Sequence, residues 1–192
     1  MSDWRLKRVT SPDPVTTVAE VKEHLRIDGT EEDALLSRYI DAATDAIEGP
    51  YGIGVLMESQ QWEYYQDRFT RHIQIPLYPI ISVDSIEYVD EAGNLQALAV
   101  DQYRVDTISN PARINTAVNV SWPPTLTREM NAVKVTFTGG HEDTPEALKA
   151  AVIMWVAHMY EVRQPVSVGT IVSEIPMTVE SILGRYRVAA IG

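Results

Sequence analysis

Catalysis or metal binding in this chain would have to start from His24, His72, His141 and His158. None of them falls at the HExxH spacing, or a comparable one, that brings two imidazoles to one helical face around a metal. The only compact polar cluster is His141-Glu142-Asp143, which follows Gly139-Gly140 and precedes a helix start, so a loop of solvated acids explains it better than a metal site. No GxSxG elbow, P-loop or GxGxxG occurs, and Gly139-Gly140 lacks the further glycines and the lysine that a phosphate cradle needs. Asp67 with Asp84, or Asp101 with Asp106, could meet in a cleft as an acid pair, yet among 27 acidic residues spread carboxylates are ordinarily surface. With no cysteine, disulfides, thiolate metal sites and a cysteine nucleophile are excluded. No catalytic residue, metal ligand or cofactor is therefore assigned.

Charge narrows the partners. The net charge of −11 argues against a general nucleic-acid binder, because such proteins gain affinity by neutralising phosphates with Lys and Arg. Residues 13–48 alone hold ten Asp/Glu against three Lys/Arg. A solvated helical face is the plain reading of that segment, and a functional acidic surface is the alternative. Trp4 with Arg5, Lys7 and Arg8 reads as a disordered basic terminus, or as an aromatic anchor for a partner. No apolar run approaches the roughly 18 residues of a membrane span, and the first residues lack a signal peptide's apolar core. The protein is expected to stay where it is made.

The elements that would position these residues are legible from periodicity and caps. Thr17-Val18-Ala19-Glu20 has the form of a capping box opening a helix near 17–26, with Gly29 as its stop. Thr30 before Glu31, Glu32 and Asp33 caps a second helix over 31–48, with Leu36, Ile40, Ala43 and Ile47 on one face. Thr144-Pro145-Glu146 opens a third over 145–162, whose Leu148, Val152, Trp155 and Met159 stripe is flanked by further apolar residues. A helix apolar on most sides needs neighbours on most sides, either within the subunit or in another copy.

Between about residues 58 and 138 the period shortens from 3.6 to 2, most clearly where Val133, Val135 and Phe137 alternate with Lys134, Thr136 and Thr138. Trp62 with Tyr64, Ile73 with Ile75, Ile86 with Tyr88, Tyr103 with Val105 and Val118 with Val120 mark further strands, giving about five to seven. Trp62, Trp122 and Trp155 are expected in cores. The predicted fold is α+β. Residues 1–57 and 144–163 form a small helical bundle, 58–143 an inserted antiparallel β-sandwich or barrel, and 164–192 a C-terminal arm. That arm is punctuated by Pro165, Gly169 and Pro176 but apolar enough to dock, and Val179 to Tyr186 form one or two helical turns.

Several stretches carry a resemblance. Ile75-Pro76-Leu77-Tyr78-Pro79, then Ser82-Val83-Asp84-Ser85-Ile86-Glu87-Tyr88-Val89-Asp90, with Trp122-Pro123-Pro124, Val133 to Gly140, and Arg163 to Thr170, stand in a characteristic order. With Glu174-Ile175-Pro176 and Ile182-Leu183-Gly184-Arg185-Tyr186-Arg187, they span about residues 15–188. The chain resembles the head-tail connector (adaptor) family of long-tailed double-stranded DNA phages and gene transfer agents. The resemblance implies a structural virion protein, made in the host cytoplasm and placed at the neck. It also implies a homo-oligomeric ring of about twelve subunits under the portal protein. Such a ring extends the DNA channel, passes DNA without specific binding, and docks the next neck or tail protein. It carries Ile182, Leu183, Arg185, Tyr186 and Arg187 over as the partner interface. Two other readings remain open: a monomeric carbohydrate- or protein-binding module with Trp62, Tyr64, Tyr65 and Tyr88 lining a groove, and, last, a hydrolase using His72 or His141.

Overall fold

The computed structural model describes residues 5–50, 52–126, 129–162 and 176–187. They contain four α-helices and eight strands in two antiparallel sheets, an α+β fold. The chain divides into a β unit, residues 1–12 and 59–141, and a helical unit, residues 13–58 and 142–192. Trp4 and most of the predicted arm lie outside the described residues.

In the helical unit, α1 (Val18–Leu25) opens on the expected capping box. The Glu20 N–H donates to the Thr17 hydroxyl at 3.2 Å, and the Thr17 N–H to the Glu20 carboxylate at 2.7 Å. The stop comes earlier than Gly29, at Arg26, which turns left-handed with φ 56°. The Lys22 ammonium then binds the Gly29 carbonyl and the Asp33 carboxylate, pinning the turn into the next helix. That helix, α2 (Asp33–Ile47), does not use Thr30 as its cap. The Asp33 N–H donates to the Thr30 carbonyl in a preceding turn, which moves the N-cap to Glu32 without a side-chain bond. Leu36, Ile40, Ala43 and Ile47 are buried, as their spacing predicts.

After α2 the chain reverses tightly through Gly49, Gly52 and Gly54. A Cβ on Gly52 would fall 1.9 Å from the Ile47 carbonyl oxygen, so only glycine fits there. The buried Glu48 carboxylate accepts from the Met57 N–H at 2.7 Å. Thr144, expected to cap the third helix, instead reaches back to the Met57 carbonyl (2.8 Å) and the Glu58 carboxylate (2.5 Å). Pro145 is the N-cap of α3 (Glu146–Glu161). This helix buries Leu148, Ala151, Val152, Trp155 and Val156, and packs against α1, α2 and α4 (Met177–Leu183). These neighbours cover one side of it, while Ile153, Met154, Ala157 and Met159, the last from the predicted stripe, stay half-buried.

In the β unit, β1 (Leu6–Arg8), β2 (Gln60–Gln66), β8 (Val133–Gly139), β4 (Ile80–Val89) and β5 (Leu95–Ala97) form one sheet in that order. The second sheet is β3 (Ile73–Ile75), β7 (Ala112–Thr116) and β6 (Tyr103–Asp106). Val133, Val135 and Phe137 of β8, Ile73 and Ile75 of β3, and Ile114 of β7 are fully buried. The motif from Ile75 to Asp90 carries the chain from one sheet to the other. Leu77 is buried on the way, and the Gly140 N–H donates to the Pro79 carbonyl at 2.9 Å, so two motifs distant in sequence meet.

Three expectations are corrected here. The basic segment at 6–8, read as a loose terminus and grouped with the helices, is a strand with Leu6 opposite Tyr64, because its cations find partners along β2. Val118 to Val120 is a turn rather than a strand, with Asn119 at φ 61° and the Val120 N–H on the Ala117 carbonyl. The strand lies just before it, in β7, where Arg113 and Asn115 supply the exposed alternation. Trp122 is half-buried rather than central, stacked on Phe69 at 4.8 Å.

Candidate assembly surface

Of the acids considered for chemistry, Asp67, Asp84 and Asp106 are each held by their own partners. Asp67 binds Arg5 and accepts from the Asn131 N–H at 2.9 Å. Asp84 takes Gln61, Ser82 and Thr138 within 2.9 Å, beside a register irregularity of β4. Asp106 closes the β6–β7 turn, held well below the usual carboxylate range by the Ser109 hydroxyl first and then by Arg113. Asp67 and Asp84 are thus held by different partners. Among the described residues, no group of three or more His, Asp or Glu is placed to hold a metal.

The aromatic groove does not form either. Trp62 is buried beneath the Arg8 guanidinium, 5.2 Å from the ring centre, and its Nε1 donates to Gln60. Tyr64 and Tyr65, as consecutive strand residues, point to opposite faces of β2. Tyr88 meets the edge of Phe69.

What the five-stranded sheet presents is a polar ladder across four strands. Lys7 pairs with Glu63 at 3.2 Å, Glu63 lies 3.9 Å from Lys134, and Lys134 pairs with Glu87. Tyr65 donates to Glu63 at 2.7 Å. That bond, with smaller help from Lys7 and Lys134, lowers the Glu63 pKa, while burial and the same bond push Tyr65 up to about 12.

The carried-over interface residues divide. Leu183 is 3% exposed and, with Val179, fixes α4 in the helical core, so it is not free to meet a partner. Ile182 and Tyr186 are half-buried, whereas Arg185 and Arg187 are exposed. Ile182, Arg185 and Tyr186 line, with Ala147 and Ser181, a cleft of about 170 Å³ between α3 and α4. Its lining joins apolar Ala147 and Ile182 to a guanidinium and a phenol, a combination common at protein–protein contacts.

The acidic bias of residues 13–48 extends to their whole unit: the β unit has ten Asp/Glu against nine Lys/Arg, the helical unit seventeen against seven, or −1 against −10. What escaped the sequence reading is a set of exposed apolar residues around β6 and β7, led by Ile108 at 97% exposure. Burial on a short hairpin has no periodic signature, so nothing in the sequence marked it.

The fold as a whole is a helical unit interrupted in sequence by a two-sheet β unit. The chain belongs to the head completion protein family, whose model matches residues 14–189. No curated protein matches it. Among solved structures, it is similar to a chain of the neck of an empty gene transfer agent particle computed with C6 symmetry, at 26% identity, 97% coverage of both chains and a TM-score of 0.75. A chain from the virion of a native gene transfer agent particle matches at 26% identity, with the same coverage and a TM-score of 0.76. A third, from the neck of a native particle computed with C12 symmetry, matches at 25% identity, 97% coverage of both chains and a TM-score of 0.75.

Proposed function

We propose that this protein is a structural head-tail adaptor of a virion neck. About twelve copies form a ring beneath the portal, extend the DNA channel and receive the next neck or tail protein. The supporting observation is the end-to-end likeness to neck chains, 97% of each chain, which leaves no large part of either fold unmatched. Family membership supports the same role. Because a fold alone does not fix a function, the surface must also suit it. The α3–α4 cleft with Ile182, Arg185 and Tyr186, and the neighbouring Arg187, is the docking surface for the portal; Leu183 supports it from beneath.

The test is reconstitution. The purified chain is mixed with the portal of its own virus and imaged by negative-stain electron microscopy. A ring added to one face of the portal is expected. A chain that stays monomeric and off the portal would overturn the reading, and saturable binding of a soluble glycan or peptide by that monomer would favour a binding module.

A further inference from the structure

The connection between α1 and α2 contains Asp28-Gly29, the one Asp-Gly step of the chain. Both residues are exposed and lie outside the two helices. Among the described residues, the Asp28 carboxylate takes no hydrogen bond or ion pair, and the Gly29 N–H has no acceptor. Glycine also leaves that nitrogen open to approach, because no Cβ stands beside it. The contacts that hold this connection are made by other groups, with Lys22 on the Gly29 carbonyl and the Asp33 carboxylate. Other aspartates lack this combination. Asp84 accepts from Gln61, Ser82 and Thr138, Asp90 from the Ala92 and Asn94 N–H groups, and Asp106 from Ser109 and Arg113. Asp41 and Asp45 lie inside α2, where the following N–H is bonded along the helix. Asp13 precedes Pro14, which has no N–H.

We propose that Asp28 is a self-modification site, which closes on the Gly29 nitrogen and reopens as an isoaspartyl linkage. In the closing step the Gly29 nitrogen loses its proton and bonds to the side-chain carboxyl carbon of Asp28, while the carboxyl's hydroxyl departs with a proton as water. Nucleophile and carboxyl belong to neighbouring residues, so ring closure costs no translational freedom. Water then opens the five-membered succinimide at one of its two carbonyls. Attack on the side-chain carbonyl restores aspartate. Attack on the main-chain carbonyl breaks the original peptide bond, frees the α-carboxylate and leaves Gly29 joined through the Asp28 side chain. One water leaves and one returns, so the product needs no oxidant or cofactor and keeps the mass and net charge. It does lengthen the backbone between α1 and α2 by one carbon, next to the carbonyl that Lys22 holds. The linkage therefore accumulates with the age of the subunit.

The experiment ages the full folded chain at neutral pH, well below its melting temperature, and maps its peptides by mass spectrometry with electron-transfer fragmentation, which distinguishes the two linkages by cleavage at the added backbone carbon. The peptide that contains Asp28 is expected to show first a form lighter by one water and then a growing isoaspartyl fraction, while the other aspartates stay unchanged. Asp28→Glu keeps the charge but would need a six-membered ring, so it should abolish both signals and leave the melting temperature of the fresh protein as it was. Three results would overturn the proposal. Asp28 could keep its ordinary linkage throughout ageing, the isoaspartyl fraction could be as high at other aspartates, or the signal could persist in Asp28→Glu, which would move it to Asp33.

Discussion

At Gly52 the chain has room for a hydrogen and little else, since a Cβ would overlap the Ile47 carbonyl, a backbone atom that cannot move aside. Gly52→Ala should destabilise the protein by at least about 2 kcal/mol, read from the denaturant midpoint. Thr144 is a similar pin: its hydroxyl holds the Met57–Glu58 segment to the start of α3. Thr144→Val should cost about 1–2 kcal/mol in the same assay, because the Met57 carbonyl loses a buried donor. Tyr65 and Glu63 set a pH dependence. Tyr65 is raised to about 12 in the fold, so its contribution is full below the unfolded value of about 10 and is lost as pH climbs between them. Glu63 is lowered, so its contribution is full above the unfolded value of about 4.3 and is lost as pH falls toward the folded value. Tyr65→Phe should flatten the alkaline loss of stability and also shrink the acid loss, a comparison made from urea midpoints against pH. Equal alkaline slopes in the two proteins would show that the bond does not set them.

Among the elements, α4 is where fold and assembly are easiest to confuse. Val179 and Leu183 are buried against the bundle, so removing residues 177–192 should destabilise the subunit, not spare it as a free arm would. Leu183→Ala should cost about 2–5 kcal/mol. Arg185→Glu with Tyr186→Ala, on the outer side, should leave folding within about 1 kcal/mol and abolish portal attachment, measured by co-sedimentation. Normal attachment by that variant would move the docking surface elsewhere. The sequence showed that Val179 to Tyr186 is helical but not which side faces in, because seven residues carry too few apolar positions to define a stripe. The longer helices, with repeated Leu36-Ile40-Ala43-Ile47 or Leu148-Val152-Trp155 spacing, were readable in place and face. Their caps were not: Thr30 has the right residue type but a turn moves the N-cap to Glu32, and the Thr144 hydroxyl is taken by Met57 and Glu58. β1 was hidden because its strand identity comes from cations matched to Glu63 and Trp62 of a strand more than fifty residues away.

At the scale of the molecule, charge is the property with the largest consequence. The helical unit carries −10 and the β unit −1, and ten of the acids lie within residues 13–48. In a ring that passes DNA, a wall partly lined by these carboxylates would repel phosphates and let the duplex slide. Replacing Asp41 and Asp45 with Lys should leave ring formation intact and make the rings retain DNA at low salt, read by filter binding. Rings that ignore DNA equally before and after the change would assign those acids to solubility alone. The place of the chain in a particle can be seen in a cryo-electron microscopy reconstruction of the virion neck. A closed ring of about twelve copies of this fold directly under the portal is expected, with the α3–α4 cleft against it. A neck whose portal-proximal ring is built from a different fold, with this chain absent from the particle, would contradict it.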